Sequence, residues 1–254
     1  MRVLLVSDIH SNYVALETVL NDAHGAFDVV WNLGDTIGYG PRPNECMARM
    51  LDLDAVMIAG NHDLACIGSN KVNIHEFNID AKRANIWNGK QLDPAYAKYL
   101  AELPIFRDMG EDYYIVHGSP RDPVWEYLWQ SWQADANWAY LASQQYNQHV
   151  WFIGHSHLQI YLITNADGQT LGPLRPQPNL TITFNRSERY FVNPGSVGQP
   201  RDGDPTAAYA ILDTDAHTLT FKRVAYDIAQ TQRQMQAHEP DLSPTLSRRL
   251  AVGR

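Results

Sequence analysis

No stretch of this chain approaches the roughly 20 consecutive apolar residues needed to cross a bilayer, so a helical membrane protein is not expected. Cysteine is nearly absent. Cys46 and Cys66 are the only two, they form no C-x-x-C pair, and they read as small buried hydrophobes without a disulfide. Positive charge is in the minority, with 20 Lys plus Arg against 28 Asp plus Glu and a formal net charge of -8. Stable nucleic-acid binding is therefore disfavoured, because its affinity comes from many Lys/Arg contacts to phosphate. There is no internal repeat, heptad pattern or low-complexity tract. Met1 leads directly into an apolar strand without a basic n-region or an apolar h-region, which predicts a cytoplasmic protein.

What the chain does have is five short runs rich in β-branched or aromatic residues: Val3 to Val6, Val29 to Leu33, Ala55 to Ile58, Tyr113 to Val116 and Val150 to Ile153. Each reads as a buried strand. Each ends in metal-seeking residues: Asp8-Ile9-His10, Gly34-Asp35, Gly60-Asn61-His62-Asp63, His117, and Gly154-His155-Ser156-His157. In open α/β sheets the loops beyond the carboxyl ends of the strands converge, so these groups are expected to meet in space. One Asp-x-His would be an ordinary loop histidine; five clusters at five strand ends predict a two-metal hydrolytic site. Carboxylate with neutral imidazole suits divalent Zn, Mn or Fe rather than Ca or Mg. A carboxylate can also bridge two cations about 3.5 to 4 Å apart, a role open to Asp8 or Asp35.

Taken in order, D-x-H, G-D, G-N-H-D, a strand-end H-G and G-H-x-H resemble the signature of calcineurin-like metallophosphoesterases, from Met1 to about Gly198. The resemblance implies one metal on Asp8, His10 and His157, a second on Asn61, His117 and His155, and Asp35 between them. It gives His62 the leaving-group side of the phosphorus rather than a metal. It also implies a four-layer α/β/β/α sandwich of two mixed sheets and two divalent ions per chain, Mn, Fe, Zn or Ni. The implied reaction is hydrolysis of a phosphate ester by a metal-bridging hydroxide, with no covalent intermediate. The turn Asn193 to Gly198, with the phrases Gly34 to Pro41 and Gly195 to Pro205, looks like a small bacterial branch of that family.

The remainder is expected to support this site within one domain, 1–254. A helix from about Asn12 to Ala23 and another from Pro43 to Met50 complete β-α-β units. The segment from about 64 to 104 is more helical and roofs the site, with Asp93-Pro94 starting a helix over Ala95 to Glu102. Residues 160–184 read as hairpins, Tyr209 to Asp213 and Thr218 to Val224 as a strand pair, and the tail from about 227 to 254 as helical without chemistry. Aromatics from Trp125 to Trp151 read first as a layer burying large side chains, and alternatively as a stacking wall for a nucleobase. His24, His75, His149, His217 and His238 receive no role.

Asn12, Tyr39 and Arg201 are candidate substrate contacts, Arg201 because a guanidinium can hold a phosphate oxygen. The expected partner is a small phosphate ester or nucleotide, and the activity a phosphodiesterase. A protein phosphatase is less favoured, because those relatives carry an arginine after G-D where this chain has Thr36 to Pro41. A phosphomonoesterase or a dinucleoside polyphosphate hydrolase are the enzymatic alternatives. A scaffold that has lost catalysis is the alternative from another class, and one such relative lacks the G-N-H histidine present here as His62.

Overall fold

The computed structural model describes residues 1–110 and 112–254. The first sheet is built from β1 (Arg2–Val6), β2 (Val29–Asn32), β3 (Val56–Met57), β9 (Thr181–Thr183), β11 (Ala207–Asp213) and β12 (Thr218–Val224). They lie in the order β3-β2-β1-β11-β12-β9. The second holds β4 (Phe106–Asp108), β5 (Tyr113–Val116), β6 (Val150–Phe152), β7 (Gln159–Thr164), β8 (Thr170–Leu174) and β10 (Arg189–Pro194), in the order β4-β5-β6-β10-β7-β8. Both sheets are mixed. β1, β2 and β3 are parallel, as are β5, β6 and β10, while the outer strands pair antiparallel.

Strand periodicity builds the layers. Successive side chains on a strand point to opposite faces, so the all-apolar β1 serves two cores. Val3 and Leu5 face the second sheet with Trp31, Ile115, Phe152 and Phe221, whereas Leu4 and Val6 face Leu16, Val19 and Met47. The latter come from helices α1 (Tyr13–Asp22) and α2 (Pro43–Asp52). On the far side, Val116, Trp151 and Phe191 pack on Trp138 and Leu141 of α6 (Ser131–Ser143). The result is the α/β/β/α sandwich. Each fully buried side chain of this size contributes on the order of 1.5 to 3 kcal/mol of burial energy.

The chain between β3 and β4 forms α3 (Asn61–Cys66), α4 (Ile79–Gln91) and α5 (Pro94–Glu102). Asp93 caps α5, accepting from the Ala95 amide at 2.8 Å. Helices α7 (Ile228–Gln236) and α8 (Pro244–Leu250) bring Met235, Leu246 and Leu250 against Tyr39, Ala84 and Trp87. The tail thus packs behind a loop of the site. Among the described residues, no helix is long and apolar enough to cross a membrane. The aromatic run divides: Trp138 and Trp151 are core, but Tyr127, Trp129 and Trp132 are exposed.

Candidate active site

β1, β2 and β3 run parallel in one sheet and β5 and β6 in the other, and the clusters at their carboxyl ends meet side chain to side chain across the two sheets. The loops there are laced to each other by backbone bonds: Asp8 N–H donates to Gly34 O at 3.1 Å, His10 N–H to Asp35 O at 2.9 Å, and Gly154 N–H to His117 O at 2.8 Å. Five of the seven candidate ligands have left-handed backbone, with φ of 53° at Asp8, 49° at His10, 54° at Asp35, 62° at His155 and 60° at His157. For non-glycine residues this conformation costs about 1 to 3 kcal/mol each and persists where the surroundings over-determine it. It turns side chains at strand ends back toward a common point. Gly60 acts by its size instead, since a Cβ there would collide with Asp35 Oδ1, so only glycine lets the two loops touch.

The side chains form two groups, Asp8 with His10 and His157, and Asp35 with His117 and His155, the ligand atoms of each lying within 4.8 Å of one another. Asn61 joins the second, its Oδ1 3.2 Å from His117 Nε2. Each carboxylate spends one oxygen on its neighbours. Asp8 Oδ2 accepts from Ser7 Oγ at 2.7 Å and from the His155 amide at 3.1 Å. Asp35 Oδ1 accepts from the His62 amide at 2.8 Å. Among the described residues, the other oxygens, Asp8 Oδ1 and Asp35 Oδ2, are buried without a hydrogen-bond partner. Asp35 Oδ2 lies between the groups, 3.2 Å from His117 Nε2 and 3.7 Å from His10 Nε2.

Three imidazoles are oriented from behind by backbone carbonyls, which can only accept. His117 Nδ1 donates to Leu33 O at 2.8 Å, His157 Nδ1 to Gln199 O at 2.5 Å, and His155 Nε2 to Trp125 O at 3.1 Å. This fixes which nitrogen faces inward, as ligand histidines require. Orphaned carboxylate oxygens facing tethered imidazoles are a donor set that fits divalent transition metals. The charges agree. Burial drives His10, His155 and His157 well below the usual histidine range, keeping them neutral. Burial opposes charge on His117 as well, but Asp35 outweighs it and raises this ring to about 9. Burial also raises Asp35, yet His117 and His62 overcome it and hold that carboxyl low. Asp8 is raised to about 7 by burial, against the pull of His117.

His62 sits beside this cluster and belongs to neither group. Its Nδ1 lies 2.8 Å from Asn85 Oδ1; with the amide oxygen toward the ring, Nδ1 donates and Nε2 is left free. Burial lowers this ring to about 4. Asn85 and Asn88 are fully buried polar residues on α4. Asn88 accepts from Ser11 Oγ at 2.6 Å and donates to Gly40 O at 3.2 Å, tying the helix to the first two loops. Gly38, at φ 100°, leaves room for the His62–Asn85 pair, which an added Cβ would meet at 2.9 to 3.0 Å. Asp63 braces the same loops by accepting from the Ile37 and Gly60 amides, each at 3.0 Å.

Beyond the ligands a cleft of about 100 Å³ is lined by Tyr39, His62, Phe77, Trp125, Tyr127 and Arg201 among others. Of the three sequence-derived substrate contacts, Tyr39 and Arg201 reach it. The Asn12 amide is committed to the fold instead: Oδ1 caps α1 through Ala15 N–H at 3.2 Å and accepts from Thr231 Oγ1 at 3.0 Å, while Nδ2 donates to Gly198 O at 2.9 Å. Sequence reasoning gave no role to Asn85 or Phe77, and counted Asp63 only among the metal-seeking residues at the end of the third run, whereas its carboxylate braces the Ile37 and Gly60 amides. A pair of asparagines on the otherwise apolar stripe Ala81, Ala84, Trp87 was a usable signal for Asn85.

A sandwich whose strand ends gather two carboxylate and histidine groups defines a metal-dependent hydrolase class. The model of the calcineurin-like phosphoesterase superfamily domain matches residues 1–217, and the chain belongs to that superfamily as a metal-dependent phosphoesterase. The crystal structure of a metallophosphoesterase from Sphaerobacter thermophilus is similar over 100% of this chain and 99% of its own, with 41% identity and a TM-score of 0.84. An uncharacterized protein of Methanocaldococcus jannaschii is 33% identical over 99% of this chain and 98% of its own. A hypothetical protein of Pyrococcus horikoshii shares the fold, with a TM-score of 0.77 at 18% identity over 100% of this chain and 98% of its own.

Proposed function

We propose that this phosphoesterase is a two-metal phosphodiesterase acting on a small phosphate ester or nucleotide. The observation that carries the two-metal reading is the position of Asp35 Oδ2, buried between the two groups and close to an imidazole of each. Asp8, His10 and His157 would hold one ion, Asn61, His117 and His155 the other, and Asp35 both. Bound there, divalent ions supply Lewis-acid polarisation of phosphoryl oxygens and water of lowered pKa.

His62 serves the departing oxygen. In the free site it is neutral, its Nδ1 proton held by Asn85 and its Nε2 bearing a lone pair. To act as an acid it gains a proton on Nε2, which the negative charge of bound phosphate favours. Asn85 keeps the ring aimed.

Charge balance in the cleft supports a diester. Arg201 lines it, but so does Glu76, whose carboxylate opposes a dianionic monoester more than a diester monoanion. Arg201 lies over the Tyr39 ring at 5.7 Å and donates to Tyr39 Oη at 3.3 Å and Gln199 Oε1 at 2.8 Å, which holds it ready for a non-bridging oxygen. The test compares kcat/KM for bis-nitrophenyl phosphate and nitrophenyl phosphate with the best metal. We expect the diester to lead; a monoester advantage of about tenfold, about 1.4 kcal/mol in transition-state binding, overturns the diester assignment.

A further inference from the structure

Aromatic rings surround the reaction side of this cleft in a way the core does not require. Phe77 stands edge-on to His62, with ring centroids 4.9 Å apart at 76°, and Trp125 lies 4.9 Å from Phe77. Each also touches the hydrophobic interior with part of its surface. Tyr127 belongs to none of the buried clusters and is 41% exposed. Its ring lies flat on His155, 4.2 Å away at 10°, so one face covers a candidate ligand and the ring borders the open cleft. Packing alone gives no reason for an exposed ring at this position. Arg201 shares the cleft, and among the described residues it has no carboxylate partner within ion-pair distance.

The geometry points to an aromatic subsite: Phe77 with Trp125 beside His62, and Tyr127 over His155, receive a planar aromatic substituent of the phosphate ester while Arg201 faces its negative charge. This deepens the phosphodiesterase reading and rests on it. Flat rings bind such walls through dispersion and quadrupole contacts that a saturated ring of equal size does not reproduce. Stacking of this kind is commonly worth tenfold or more in affinity. The class of substrate is thus an aryl- or nucleobase-bearing ester rather than an alkyl one.

The test uses manganese-loaded full-length protein and two phosphonates of matched charge and size, phenylphosphonate and cyclohexylphosphonate, with dissociation constants from calorimetry. Phenylphosphonate should bind about tenfold more tightly. Phe77→Ala and, separately, Tyr127→Ala should each bring that ratio to within about twofold; Tyr127 is exposed, so its removal does not threaten the fold. Equal affinities in the unmodified protein, or an undiminished ratio in both variants, overturn the subsite. Hydrolysis of bis-nitrophenyl phosphate is followed on the same preparation. A phenyl preference that both variants abolish supports the subsite even where the diester is not cleaved, and that result removes the diesterase reading alone.

Discussion

The interior of the site and its rim are built by different rules. Inside, Asp8, Asp35, His10, His117 and His157 are each at most 1% exposed and sit at strand ends; all but His10, which rests on the His157 ring, are aimed by neighbouring backbone groups. At the rim, Phe77, Trp125 and Tyr127 come from loop segments, are partly or largely exposed, and lean on one another and on histidines. The interior has little freedom to vary, because each side chain answers to two or three fixed partners. The rim can change a ring without disturbing a strand. On the proposed reading, chemistry and choice of substrate are thereby separated in space, the usual division between a rigid scaffold and its loops.

Removing Asp35 strikes the interior where its two groups meet. The unmodified protein should hold two transition-metal ions per chain, whereas Asp35→Ala should lose metal together with activity, by about 10³-fold or more on the order-of-magnitude scale of a lost metal centre. Elemental analysis of protein prepared without chelator checks both, and full metal content in the variant would move the bridging role to another residue.

His62 tests the boundary between interior and rim. His62→Ala should retain both metals while kcat falls by about 10² to 10⁴, with the smaller loss for leaving groups such as nitrophenolate that depart without a proton. Asn85→Ala should give a weaker copy of the same leaving-group dependence, about tenfold. Equal defects on good and poor leaving groups would remove the acid role.

The gentlest probe is pH. His117 is raised to about 9 and must give up its proton to become a ligand. Metal affinity should therefore climb about tenfold per pH unit as pH rises from 7 toward 9, with one proton released per chain. Below about pH 7 Asp8 is protonated as well, and the slope should steepen toward two protons. Chelator competition across this range measures the slope, and a flat profile between pH 7 and 9 would show that His117 gives up no proton when metal binds.

Much of the interior was legible in the sequence because strand ends are local: an apolar run followed by Asp-x-His or Gly-His-x-His carries its own address. β1, β2, β5 and β6 begin or end within a residue or two of the expected runs, as does α1, whose cap is Asn12. β3 is shorter than its apolar run, pairing only through Val56 and Met57, since the chain turns into Gly60 so soon after. What was not legible depends on distant contacts. Nothing in a run of aromatics says that Trp138 will be core and Tyr127 exposed; that follows from α6 beginning at Ser131. Asn12 reads as a loop residue near ligands, and only the arrival of Thr231 and Gly198 explains its buried amide. The short β4 and the crossing of β9 to the first sheet had no local mark either.

The register of the first sheet also sets a timetable. β1 leads into Asp8 and His10, yet the strand beside it is β11, with Leu4 opposite Ile211 and Leu5 opposite Ala210. On a ribosome the chain emerges from its amino end, so β1 waits with one flank unpaired while some two hundred residues are made, at about 5 to 20 per second. That exposed flank is an invitation to wrong strand partners for roughly ten to forty seconds at those rates. Asp8 and His10 are therefore synthesised about two hundred residues before the strand that completes their side of the sheet, which places any metal loading after that pairing.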